Sequence, residues 1–147
     1  MSSRHVARQW AVQLLFQQDY NPEPCEEALT EFWTERRAAP AVRGFVEELV
    51  RGVREHQAQI DALLQKRAVN WTLARMAGVD RNIMRVAIFE MLYRPEIPAV
   101  VSINEALELA KSLGDTSSVR FVNGILDHVR KDLKRSVRET GDAAQEK

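Results

Sequence analysis

Three histidines and one cysteine are the residues of this chain best suited to metal or nucleophilic chemistry, and their spacing suits neither. His5, His56 and His128 stand far apart and share no register with cysteine or carboxylate, so they form no ligand set. Cys25 lies among proline and glutamate, surroundings that disfavour a reactive thiolate. Gly44 and Gly52 fall inside a helical pattern, not after a strand, so neither belongs to a phosphate-cradling loop. The pairs Glu26-Glu27 and Glu47-Glu48 are adjacent, and neighbours on a helix point in different directions. The chain therefore reads as a binding protein with no catalytic residue, no metal site and no cofactor. Arg4 and Arg8 offer a different chemistry. Four residues apart, they project together near the amino end of a helix, where cations oppose the helix dipole and suit a polyanion.

The elements that must position such groups are helical. The most informative stretch is INEALELAKSLGDTSSVRFVNGILD, from Ile103 to Asp127. Ser102 followed by Glu105 has the spacing of a capping box. Behind it Ile103, Ala106, Leu107 and Ala110 form an apolar stripe, and Gly114 suits the left-handed position that ends a helix. Asp115-Thr116-Ser117-Ser118 offers candidate caps for a last helix, whose Val122, Ile125, Leu126, Val129 and Leu133 face inward. Phe121 sits at the margin of that stripe. Asn123 is best read as an inter-helix hydrogen-bond partner. Gly124 costs about 1 kcal/mol relative to alanine inside a helix, which predicts a close neighbour.

Earlier in the chain, a first helix runs to about Gln18 with Ala7, Ala11, Leu14 and Leu15 inward, and Asn21-Pro22-Glu23-Pro24 breaks it. Helices follow over about 26–37 and 41–56, the latter with Pro40 at its first turn, and over about 58–67. Asn70-Trp71-Thr72 opens a short turn that carries Leu73 and Met76 inward. Asp80 can cap a fifth helix on which Glu90 falls against the apolar stripe, and a buried carboxylate requires a partner such as arginine. Beyond about Arg135 apolar periodicity ends, and residues 136–147 are expected to be a disordered polar tail. No segment alternates at period two, so the fold is all-α: about seven helices in one domain over 1–135, with sub-bundles of three helices at about 1–68 and 72–135.

Length and composition agree. The 147 residues are one domain's worth, and 45% hydrophobic with 29% charged residues is ordinary for a globular protein. A single cysteine cannot form an internal disulfide, which fits a reducing compartment, and neither a membrane span nor a signal peptide is visible; a cytoplasmic protein without membrane contact is expected. Net charge is zero, but it is segregated. Residues 22–55 carry eight acidic against five basic side chains, whereas 66–94 carry six basic against two acidic and 111–138 seven against three. Such segregation can serve two partners on two faces.

INEALELAK followed about ten residues later by RFVNGILD resembles the C-terminal signature of the NusB family of transcription antitermination factors. VDRNIMRVAIFEML before Pro98, FVEELVRGV before Ile60-Asp61, and ARQWAVQLLFQQDY resemble its earlier helices, in order, from about Arg4 to Lys134. The resemblance implies two packed three-helix sub-bundles. It implies a role in helping RNA polymerase bypass termination, through boxA-type single-stranded RNA of rRNA operons bound jointly with NusE, a small-subunit ribosomal protein, within the transcription elongation complex. Carried over residue by residue, it places RNA at Arg4, His5 and Arg8 and at Ser117, Arg120 and Phe121. It places NusE at Phe16, Tyr20 and Asp80. This sequence departs from the family pattern in having only Arg4 as a certain charge in the run Arg4-His5-Val6, and Ser117 where an acidic residue is frequent.

Two other readings stand beside this one. An RNA-binding portion of an rRNA cytosine methyltransferase would need a cofactor-binding α/β domain that this sequence does not contain. A protein-binding helical adaptor, or a homodimer with the arginine face covered, would use the same helices with weak intrinsic RNA affinity.

Overall fold

In a computed structural model, residues 3–145 are described, with side chains through Lys134. The described residues form seven α-helices and one 3-10 turn. The helices are α1 (Ser3–Tyr20), α2 (Cys25–Thr34), α3 (Pro40–Glu55), α4 (Gln57–Arg67), α5 (Gly78–Tyr93), α6 (Ala99–Leu113) and α7 (Ser118–Gln145), and the turn is Leu73–Arg75. The all-α expectation holds. The amino-terminal helices pack as one set and α5–α7 as another, with α1 and α3 laid directly against α5.

α5 is the axis of the molecule. Every residue from Asn82 to Glu90 is buried on it, because α1, α3, α4, α6 and α7 all contact it. A helix apolar on nearly every side is a central one. A single stripe over Ile83, Val86 and Ala87 therefore understated its burial, since Met84, Ile88 and Phe89 are equally enclosed. Gly52 of α3 makes this approach possible: a Cβ there would lie 2.2 Å from the Phe89 ring, well inside contact distance.

Glu90, expected to need a cation, has one. Arg8 donates to it through Nε at 2.8 Å and through Nη2 at 2.7 Å, and the Ser102 hydroxyl donates to Oε1 at 3.1 Å. Arg8 is 3% exposed and Glu90 1%. This corrects two expectations. Arg8 does not project beside Arg4 toward a polyanion; it is a core residue. Ser102 and Glu105 do not form a capping box, because α6 already begins at Ala99 behind an extended Pro98. Ser102 lies a turn inside the helix and serves the buried carboxylate instead.

A second charged cluster fastens the other end of α1. Asp19 accepts from Arg81 at 2.9 Å, Asn82 at 2.9 Å, Arg85 at 3.2 Å and Arg54 at 3.3 Å, while Arg85 also binds Asp61 at 2.8 Å. Burial raises the Asp19 carboxyl, but those donors and the charges of Arg85 and Arg54 outweigh it and hold it below its ordinary value. Arg8 meets Glu90 near the end of α5 and Asp19 meets Arg81 near its start, so α1 and α5 run antiparallel.

Three smaller readings also change. Gly114 has φ −94° and ψ −170°, extended and not left-handed; its lack of a side chain admits Ser118, whose Oγ would be 2.4 Å from an added Cβ. Nothing approaches Gly124, which is exposed, and no packing in the structure explains it. Asn123 is likewise exposed and makes no inter-helix bond among the described residues. Finally, α7 continues to Gln145, through most of the segment expected as a disordered tail. Loss of apolar periodicity marks where packing signals stop, not where a helix must stop; the side chains past Lys134 and residues 146–147 lie outside the described residues.

Removing one partner of a buried ion pair strands the other. Arg8→Met should therefore lower unfolding free energy by roughly 3–5 kcal/mol in urea titrations, and Arg8→Met with Glu90→Gln should recover part of the loss. Equal stability of Arg8→Met and the parent would remove this pair from the core.

Candidate nucleic-acid interface

The start of α5, the Leu73–Arg75 turn and the start of α7 converge on an open groove of about 890 Å³ lined by Trp71, Arg75, Met76, Asp80, Arg120 and Phe121, with Asp115 and Ser117 at its edge. The local sequence explains the convergence. Gln65 of α4 donates to the Trp71 carbonyl at 2.8 Å and accepts from the Leu73 amide at 3.0 Å, which fixes the turn. Asp115 Oδ1 accepts from the Ser117 amide at 2.9 Å and hydroxyl at 2.7 Å, an Asx turn that launches α7. These bonds hold the Asp115 carboxyl below its ordinary value.

Phe121 is half-buried and meets Trp71 edge-to-face, ring centroids 6.5 Å apart at 75°. Arg120 and Arg75 are exposed and carry no ion pair among the described residues. That distinguishes them from most of the basic residues that segregated in the sequence. Arg81 and Arg85 are committed to Asp19, Arg94 to Glu48 and Glu96, Arg67 to Asp132, and Arg130 and Lys131 to Asp127.

Asp80 is not the exposed rim residue or the helix cap that sequence suggested. α5 begins at Gly78 after an Ala77 cap, so Asp80 falls in its first turn. It is 6% exposed and its Oδ1 has no hydrogen-bond partner. Burial pushes its carboxyl up, eased by the Ser118 hydroxyl and reinforced by the Asp115 charge.

The remaining expected residues fall elsewhere. Phe16 packs edge-on to Tyr20 at 5.0 Å, and its ring lies against Gly78, where a Cβ would be 2.8 Å away. Tyr20 is 69% exposed. These two therefore adjoin the same segment, 76–80, that lines the groove. Arg4 and His5 do not. Arg4 lies over the Phe45 ring at 5.0 Å, beside Glu48 and Arg94, at the opposite end of α5. The rise of an α-helix puts that about 20 Å from Asp80. His5 is paired with Glu105 at 2.6 Å and only 16% exposed. Of the six expected RNA residues, the structure gathers Ser117, Arg120 and Phe121 into one site, leaves Arg4 exposed at a distance, and places His5 and Arg8 in intramolecular pairs.

Sequence reasoning missed Trp71 and Arg75 as site residues. The available signal was a tryptophan in a polar turn, outside any apolar stripe, with an arginine four residues on.

Two helical sets sharing a buried axis, with an aromatic and arginine-rimmed groove, define the class: an all-helical binding protein. A profile of the NusB family matches residues 5–131. Over 133 residues the chain is 45% identical to the transcription antitermination protein NusB of Bacillus subtilis, covering 90% of this chain and 98% of that one. It is 43% identical to that of Myxococcus xanthus over 140 residues, 92% and 99% of the two chains. The structure of T. maritima NusB superposes with a TM-score of 0.81 at 35% identity over 89% of this chain and 92% of that one. A structure described as antitermination factors NusB and NusE in complex with dsRNA shares the fold, TM-score 0.81, at 24% identity over 90% and 98%. The chain belongs to the NusB family.

Because the folded-state Asp80 carboxyl is raised, its contribution to stability is complete below the ordinary carboxylate range and is lost as pH rises through the raised value. Asp80→Asn should therefore melt higher than the parent at neutral pH, with the advantage shrinking as pH falls below the ordinary range. A pH-independent difference in melting temperature would exclude this cause.

Proposed function

We propose that this chain binds boxA-type single-stranded RNA jointly with NusE, within the transcription elongation complex, and so serves transcription antitermination in the cytoplasm as a binding protein and not a catalyst. Family membership supports the role and both partners. Among the described residues no helix is long and apolar enough to cross a membrane. The observation that carries the RNA surface is the groove wall, where half-buried Phe121 stands beside exposed, unpaired Arg120. A guanidinium tracks phosphate and an aromatic face stacks on an unpaired base. Ser117 adds a hydroxyl at the same edge, and Arg4 supplies a second, distant cation along which an extended strand can run. The NusE surface rests on Phe16 and Tyr20, an exposed aromatic pair beside the groove and continuous with it. Joint binding follows from that adjacency, since an RNA in the groove and a protein on the aromatic pair would touch.

The test is titration of a boxA-type oligonucleotide, single-stranded and duplex, with and without NusE, across a salt series. Phe121→Ala should weaken RNA binding roughly 5- to 150-fold, while losing less stability than the roughly 3–5 kcal/mol of a fully buried phenylalanine. Arg120→Ala should reduce the salt slope by about 1. Salt-independent binding, or a NusE complex indifferent to RNA, would favour the adaptor reading.

A further inference from the structure

Asp80 is the one groove residue that an RNA-stacking surface does not require. Its carboxyl is 94% buried by the complement of its exposure, its Oδ1 has no partner, and it lines the same groove as two aromatic rings. A buried acceptor without a donor is costly, so the position makes sense if a ligand supplies an N–H. Trp71 is unexplained in the same way: half of it is exposed, and its only ring contact is the edge-to-face one with Phe121. Two rings at 75° form a corner, in which a flat group can stack on one ring and abut the edge of the other.

The rim narrows the occupant further. A lysine or arginine side chain would satisfy Asp80, but Arg75 and Arg120 flank the entrance without counter-ions and repel a cation. An apolar side chain would fill the corner and leave Asp80 unmet. A nucleotide meets all three demands, with a flat ring, an N–H donor and a phosphate. We propose that this groove holds one unpaired, amino-bearing nucleobase of the bound RNA, stacked in the Trp71–Phe121 corner with its exocyclic amine donating to Asp80 Oδ1 and its flanking phosphates facing Arg75 and Arg120. This rests on the RNA-binding reading and adds to it a base preference. Adenine, cytosine and guanine carry such an amine, and acidic side chains accept from base amines of this kind. Uracil presents a single ring N–H between two carbonyls, which a carboxylate meets poorly.

The experiment uses the full chain with NusE and a boxA-type oligonucleotide in which each amino-bearing base is replaced by uracil in turn. For the parent protein, replacement at one position should weaken binding roughly tenfold, within the range of about 1–3 kcal/mol for a base-reading contact. Asp80→Asn should abolish that discrimination, because an amide can donate to a uracil carbonyl. Trp71→Ala should weaken binding roughly 5- to 150-fold at every sequence, and Trp71→Phe should restore most of it. The RNA-induced quenching of tryptophan emission should be lost in Trp71→Phe. Circular dichroism and melting of each variant establish that it is folded. If Trp71→Ala and Asp80→Asn keep the parent's affinity and base preference while Phe121→Ala loses RNA, the base pocket is overturned and the RNA surface stands. If the parent binds no RNA, both fall. If Asp80→Asn loses NusE alone and keeps the base preference, Asp80 belongs to the protein contact and the pocket is overturned. Unchanged quenching in Trp71→Phe overturns it as well.

Discussion

A carboxylate in the centre of a protein must be met by donors or it will not be there charged. Glu90 sits on the most enclosed helix of this molecule and is met from two directions, by the forked guanidinium of Arg8 on α1 and the hydroxyl of Ser102 on α6. Three helices are thereby held in one register, since sliding any of them by a turn would separate the partners. The Asp19 cluster repeats the device at the far end of α1, joining it to α3 and α5 through Arg54, Arg81 and Arg85. Apolar packing alone would tolerate a shift between α1 and α5. Two charged clamps, one near each end, do not.

The site depends on that register. Phe16 lies against Gly78 only because α1 is fixed along α5, and the same segment then turns Met76 and Asp80 into the groove. α7 completes the wall from the other side, started by the Asp115 turn that aims Arg120 outward and leaves Phe121 half-covered. A rigid frame thus presents a small set of groups whose internal partners are missing: two guanidiniums, one carboxylate oxygen and two ring faces. These deficits, and not net charge, identify the surface. The chain is neutral overall, and most of its arginines are consumed in holding helices together.

Arg8 and Arg120 show why a charged residue's role is hard to read from sequence. Each follows or precedes apolar residues on a helix, and each matches a functional position by resemblance. What separates them is whether a carboxylate from elsewhere in the chain arrives beside the guanidinium. Glu90 does so for Arg8 across 82 residues, and nothing among the described residues does so for Arg120. Ser102 and Glu105 carry the same lesson. Their spacing satisfies a local capping rule, yet one is drawn to Glu90 and the other to His5, because long-range partners outcompete a cap whose helix has already begun.

The order of helices, their breaks at proline, the all-α class, the need of Glu90 for a cation and the family itself were all determined by the sequence, since each depends on local periodicity, backbone restriction or ordered motifs. Phe16, Tyr20, Arg120 and Phe121 were also named there, by resemblance. The structure alone decided that Arg8 is the cation Glu90 needs, that Arg4 stands apart from Phe121, and that Asp80 faces Trp71 and not open solvent. Those are facts about which distant segments meet. Helical period says which face of an element is buried; only the packing of one element on another says what buries it.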